Sequence, residues 1–348
     1  MVTPEVRFLA AEKIPTLLKR LGERYRVFAP VKVSETTVLF QEYREGVQIV
    51  LDRQTTAPAK EIIFPQTERL LSYTYRKDPE DPQKIELQVE EAPQSAPRTI
   101  IFGARPCDAR GFRVFDSVFT AGPYEDPYYS SRRQQTTIVT IFCTQPQNTC
   151  FCTSVGTGPT DTEGSDLVLT PITEGYLAEA ITEKGKELLQ DEAFVSAQER
   201  VEEAQRAKEG IKLESELDLE GIPQRLMELF STDFWERVSA KCISCGACTY
   251  LCPTCYCFNI TDEAAGLEGE RVRTWDSCMF YQYTLEASGH NPRPTKAERY
   301  RNRVGHKFSY HPINYEGMIG CCGCGRCIKS CPVSLDIRQV LREAKAYG

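Results

Sequence analysis

Histidine is scarce in this sequence: His290, His306 and His311 are the three present in 348 residues. Any bound metal would be held mainly by other donors. Long apolar runs are also missing. Ile138–Phe142 is among the longest, far short of the roughly 18 residues of a membrane span. Met1–Glu5 has no basic segment leading into an apolar one, so no secretory signal is expected. Neither G-x-G-x-x-G at a strand-to-helix turn nor G-x-x-x-x-G-K-[ST] occurs, so no dinucleotide or nucleoside-triphosphate site is expected on this chain. Lys and Arg (42) are outnumbered by Asp and Glu (49), a net charge of −7, which counts against generic nucleic-acid binding. Cysteine is absent from 1–106 and again from 153–241.

The cysteines that are present therefore crowd together. Four fall between Cys107 and Cys152 and twelve between Cys242 and Cys331. Without export the expected location is cytoplasmic. There structural disulfides are rare, and clustered cysteine points to metal binding or redox chemistry. Thiolates suit iron–sulfur clusters or zinc. With 41% apolar and 26% charged residues the chain can bury a sizeable core.

The first 180 residues alternate short apolar runs with helical ones. The spacing predicts a helix over Ile14–Leu21. Strands are predicted at Tyr25–Phe28, Thr37–Phe40, Thr99–Gly103, Thr136–Phe142 and Asp166–Leu169. Cys107 and Cys143 follow two of these strands and are expected on loops at strand ends. Residues 199–212 are rich in Glu, Arg, Lys and Ala, with Glu202 and Arg206 at i,i+4, and read as a solvated helix. The expected fold is α+β, in three parts. A mixed α/β domain over 1–180 carries a candidate third iron–sulfur site. A charged helical connector spans 181–235. A mainly helical two-cluster ferredoxin-type domain covers 236–348.

Cys242, Cys245, Cys248 and Cys252, followed by Pro253, have the spacing C-x2-C-x2-C-x3-C-P. Cys321, Cys324, Cys327 and Cys331, followed by Pro332, repeat it. Three closely spaced thiolates wrap one cubane, while the fourth points away and ligates the other cluster. One [4Fe–4S] cluster is thus assigned to Cys242, Cys245, Cys248 and Cys331. The other falls to Cys321, Cys324, Cys327 and Cys252. Gly246 and Gly325 are expected to let backbone amides approach the cluster sulfurs. Structural zinc is the rival reading, but it pairs two short turns and does not call for the third cysteine and the proline. The long insertion between Cys252 and Cys321 excludes a minimal ferredoxin. Cys255, Cys257, Cys278 and Cys322 lie outside both spacings. As free cysteines they are expected to pack beside the clusters, with a further ligand set as the alternative.

Cys107, Cys143, Cys150 and Cys152 supply four more thiols, a complete set for a third [4Fe–4S] cluster. Zinc, or two reduced structural pairs, is the alternative. The basic stretch Arg293–Lys307 reads either as cations offsetting the negative charge of thiolate-held clusters or as a solvated helix face. A relay needs no bond-making residue, so no catalytic residue is assigned. The rivals are a chain whose extra thiols hold a site-differentiated cluster with an open iron, and a zinc scaffold.

Several stretches together resemble one family. They are Phe64–Glu68, Arg105–Asp108, Cys150–Cys152, Cys252–Cys257, Trp275–Cys278, Gly289–Pro294, Glu298–Arg303, His306–Phe308 and Gly320–Cys327. The chain is similar to the beta subunit of sulfhydrogenases, which are cytosolic NAD(P)-linked [NiFe] hydrogenases, and to the related iron–sulfur subunit of anaerobic sulfite reductase. The resemblance implies an electron-transfer subunit without its own substrate site. Its partners would be a flavin subunit exchanging hydride with NAD(P)H and a catalytic subunit handling H2 or sulfite. It implies neither nucleic acid nor a membrane span. Cys255, Cys257 and Cys278 fall on the family pattern; Cys322 does not.

Overall fold

A computed structural model describes residues 6–81, 83–211, 213 and 217–348. Met1–Glu5, where no secretory signal is expected, and the end of the predicted 199–212 helix at residue 212 lie outside them. Strands are β1 (Val6–Ala10), β2 (Arg26–Lys32), β3 (Val38–Glu42), β4 (Thr67–Lys77), β5 (Ile85–Glu91), β6 (Thr99–Ala104), β7 (Thr136–Ile141), β8 (Leu167–Ile172), β9 (Gly175–Ala180), β10 (Phe194–Ser196), β11 (Phe258–Ala265) and β12 (Glu268–Trp275). Each predicted strand is present, shifted by a residue or more at its ends, and the helix Ile14–Leu21 keeps its predicted bounds. Its buried Ile14, Leu17, Leu18 and Leu21 recur at helical spacing and form one stripe.

The larger sheet has eight strands among the described residues, in the order β10-β1-β9-β8-β7-β6-β2-β3. Its centre, β2, β6, β7 and β8, is parallel. β6 and β7 are buried along their whole length because layers cover both faces. One face packs Ile100, Phe102, Val139 and Ile141 against the Ile14–Leu21 stripe. The other packs Ile101 and Ile138 against Phe112, Phe115 and Phe119 of the helix Pro106–Phe119 and against Tyr129.

The parallel centre places the ends of β6 and β7 side by side. Ala104 pairs with Thr140, so Cys107 and Cys143 each lie three residues beyond a matched pair, at one edge of the sheet. Here the sequence reading needs one correction. Cys107 is not on a loop but in the first turn of the helix Pro106–Phe119. Pro106 gives up no needed N–H at that position, and the Arg105 amide donates to the Asp108 carboxylate at 3.2 Å. The helix therefore starts directly after the strand. Cys143 does lie past the end of β7.

The smaller sheet, β11-β12-β4-β5, crosses the expected boundaries. β4 and β5 come from the 1–180 segment and β11 and β12 from 236–348, joined where Val272 pairs with Arg69 and Thr274 with Thr67. Arg273 bonds Glu68 at 2.9 Å and lies over the Phe64 ring, on which Trp275 stacks at 6.5 Å between centroids. The expected 181–235 connector also contributes β10, which pairs with β1. A third core gathers Phe234, Trp235, Tyr300, Val304, Phe308, Val340 and Leu341 from the C-terminal part, with Phe151 and Val155 reaching into it. Among the described residues no helix is long and apolar enough to cross a membrane.

Candidate metal centres

The two ferredoxin motifs fold alike. Gly246 (φ 74°) and Gly325 (φ 72°) both cap single-turn helices, Ala247–Tyr250 and Arg326–Lys329, from the left-handed region that glycine enters freely. In the residue before the second cysteine of each motif the backbone is also left-handed, at Ser244 (φ 55°) and Gly323 (φ 62°). There the Ser244 amide donates to Cys242 Sγ and the Gly323 amide to Cys321 Sγ, both at 3.4 Å. The Leu335 amide adds a third such bond, to Cys331 Sγ at 3.2 Å.

Each crossed set of four lines its own cavity. Cys242, Cys245, Cys248 and Cys331 line one, with Ile243 and Pro332 at its mouth. Cys252, Cys321, Cys324 and Cys327 line the second, together with Phe151 and Lys307. The cavities are neighbours: Cys327, Arg303 and Ile337 border both. Cys245 is the one exposed cysteine of the 16, whereas Cys252, Cys321 and Cys324 are buried. Among the described residues no three His, Cys, Asp or Glu side chains converge on a point as a single ion requires. A zinc ion needs its thiolates about 2.3 Å from one centre; a cubane spreads them. Spread thiols around a cavity, with amides aimed at their sulfurs, fit a cluster better than zinc.

The predicted basic stretch divides between solvent and these cavities. Arg301 lies over the Phe230 ring, 3.7 Å from its centroid. Arg303 and Lys307 turn inward and are buried. Lys307 Nζ lies 3.3 Å from Cys252 Sγ and donates to Thr254 Oγ1 at 2.8 Å and the Gly320 carbonyl at 2.9 Å. Arg303 Nη1 is 3.8 Å from Cys255 Sγ. A third buried cation, Lys60, donates to the carbonyls of Cys255 (3.0 Å) and Thr249 (3.3 Å) and sits 4.1 Å from the Trp275 ring centre. Among the described residues none of the three pairs with a carboxylate. Burial disfavours the charge of Lys307, but the thiolates of Cys252, Cys255 and Cys321 more than reverse that and carry its pKa well above the usual value. For Lys60 burial wins and the pKa falls. Buried charge is retained only where opposite charge meets it; here the thiolates are that charge. Lys60 carried no signal in the sequence, because its partners lie 189 and 195 residues away.

The N-terminal thiols gather against the second motif. Cys143 lies within electrostatic reach of Cys107, Cys150 and Cys152. The Phe151 amide donates to the Gly323 carbonyl at 2.8 Å, and Cys150 Sγ approaches the Cys324 carbonyl at 3.8 Å. Gln54 Nε2 bridges Cys107 Sγ and the Cys324 carbonyl, both at 3.3 Å. Below them Arg326 and Asp108 form a fully buried ion pair at 2.8 Å. Burial pushes the thiols up, Cys150 to about 11 and Cys152 to about 12, so a metal entering this site must displace protons.

Three extra thiols meet their neighbours directly: Cys255 bonds Cys252, Cys257 bonds Cys278, and Cys322 bonds Cys324. Cys322 is buried between Cys324 and Cys107, a placement the sequence did not reveal.

Comparison with known proteins adds two findings. A family model described as a 4Fe-4S dicluster domain matches residues 241–335. Sulfhydrogenase 2 subunit beta of Pyrococcus furiosus is 30% identical over 344 residues, 97% of this chain and 97% of that protein. No solved structure matches the chain.

Proposed function

This chain belongs to the family of sulfhydrogenase beta subunits and is an iron–sulfur electron-transfer subunit; from that premise we propose what it connects and which residues do so. It relays single electrons in the cytoplasm between a flavin subunit that exchanges hydride with NAD(P)H and a catalytic subunit of the [NiFe] hydrogenase type. The observation that carries this reading is the pair of adjoining cavities, each lined by three cysteines of one motif and the fourth of the other.

Bound [4Fe–4S] clusters supply one-electron storage and transfer. The chain's own residues do the rest. Cys242, Cys245, Cys248 and Cys331 hold the outer site, and exposed Cys245 makes it the end that meets a partner. Cys252, Cys321, Cys324 and Cys327 hold the inner one. Cys107, Cys143, Cys150 and Cys152 hold a third beyond it, so the order runs outer, inner, N-terminal. Amides at 244, 323 and 335 and the cations Arg303 and Lys307 offset the thiolates' negative charge. No side chain is placed to make or break a substrate bond. A subunit role also accords with Ile85, Leu87 and Val89, each about half exposed in a row on β5 (56%, 52% and 52%). Such an apolar row is costly on an isolated monomer.

The crossed assignment is tested by single replacements. Cys331→Ala should alter the signal of the outer site, although Cys331 belongs to the second motif; Cys252→Ala should alter the inner one. Low-temperature EPR of the reduced chain, with iron analysis, reads both. Each variant disturbing the site of its own motif would sink the assignment. The isolated wild-type chain should be reduced by viologen dyes yet turn over neither H2 nor sulfite.

A further inference from the structure

Cys257 directly precedes β11, and Cys278 lies three residues past the end of β12. The hairpin register pairs Phe258 with Trp275, and the Asp276 amide donates to the Cys257 carbonyl at 2.9 Å. Closing the hairpin base brings the two thiols into hydrogen-bond contact, and the Tyr283 hydroxyl bonds Cys257 as well. Cys278 is buried and Cys257 is half-buried. A thiol that serves only as a small hydrophobe has apolar neighbours; Cys257 instead has a phenol and a second thiol. No single ion is centred on the group. The hydrogen bond from Cys278 holds the Cys257 thiol down at about 6, while the same bond and burial push Cys278 up. A thiolate beside a protonated thiol is the arrangement in which one sulfur attacks and the other resolves.

We infer that Cys257 and Cys278 form a dithiol–disulfide centre, a two-electron redox site beside the inner cysteine set. Cys255 lies between the pair and the inner set, bonded to Cys252 and within reach of Cys278. In the reducing direction the Sγ–Sγ bond breaks on uptake of two electrons and one proton. Cys278 takes the proton and Cys257 remains a thiolate held by Tyr283. The electrons come one at a time from a low-potential one-electron donor. That donor is the proposed relay, and only this part of the inference rests on the relay reading. In the oxidising direction the bond re-forms, the proton leaves, and both electrons return to the same relay. The centre would let a one-electron chain hold a pair of electrons.

The test uses the full chain with its metal, purified anaerobically and poised oxidised or reduced with redox dyes. Each sample is denatured in alkylating agent and its peptides are analysed by mass spectrometry. The Cys257 and Cys278 peptides should be cross-linked in the oxidised sample and separately alkylated in the reduced one. Cys257→Ser and Cys278→Ser should each keep the wild-type iron content and EPR intensity yet accept two fewer reducing equivalents per chain. Equal alkylation of both thiols in the two wild-type samples would overturn the proposal. So would loss of a cluster's worth of iron from either variant, which would make these thiols ligands. If the variants fail to fold, the wild-type alkylation decides. Iron and EPR measured on the same preparations report on the relay separately, so the two readings fail independently.

Discussion

Lys307 carries its charge into a place where no carboxylate meets it, and its nearest sulfur is that of Cys252 at 3.3 Å. Reduction adds negative charge next to that ammonium, so the ammonium favours it. Lys307→Met should lower the potential of the inner site by about 60 mV, the one-electron equivalent of roughly 1.4 kcal/mol, and leave the iron content unchanged. Potentiometric EPR titration checks this; an unmoved potential would mean that Lys307 only packs. His306 gives a pH prediction. Burial, reinforced by the charges of Lys307 and His311, holds it down at about 4, against about 6.5 in an unfolded chain. The unfolded state therefore binds the extra proton between those values. The stabilisation from the neutral native ring is complete above about pH 6.5 and is lost as pH falls toward 4. Acidifying from pH 6.5 to 5 should cost about 2 kcal/mol, and urea midpoints of His306→Asn should show a shallower pH dependence than wild type. At this scale the sequence showed the cysteines and not their surroundings. Metal ligation imposes a fixed local spacing that survives as a string of letters. Lys60 and Gln54 reach their partners across 189 to 270 residues and leave no such trace.

The loop Cys150–Val155 and the second ferredoxin loop meet backbone to backbone. A Cβ on residue 323 would stand 2.5 Å from both Cys152 Cα and Cys152 N, and the position already has positive φ. Gly323→Ala should cost about 2 kcal/mol, seen as a lower denaturation midpoint. Removing the loop's thiols is the complementary test. Cys150→Ala with Cys152→Ala should remove about four irons per chain and leave the two ferredoxin signals in place; unchanged iron would remove the third-site assignment. The strands that build this edge were legible because buried parallel strands read as short apolar runs, as in Ile138–Ile141. The first turn holding Cys107 was not, because a strand passing straight into a proline-started helix looks like a loop in one-dimensional spacing.

The composition marks a boundary near residue 236, yet the molecule is joined across it. β4 and β12 pair over seven residue positions, and Phe258 and Trp275 pack on the Phe64 core of the N-terminal part. Pairings between segments some 200 residues apart leave no periodic signal near either strand. This explains why the three-part division followed composition and the sheets did not. A fragment ending at residue 235 would leave β4 without its partner and Phe64 without its stacked Trp275. It should lack the cooperative unfolding of the full chain, as near-ultraviolet circular dichroism during urea titration would show. At the scale of the whole molecule everything depends on two crossed sets of thiolates holding neighbouring clusters. The most direct measurement is metal and acid-labile sulfide analysis of anaerobically purified protein, with EPR after dithionite reduction. The account predicts about eight irons from the ferredoxin sets, about twelve with the N-terminal set, matching sulfide, and reduced spectra broadened by coupling between close centres. Stoichiometric zinc in a colourless protein that stays EPR-silent after dithionite would contradict it.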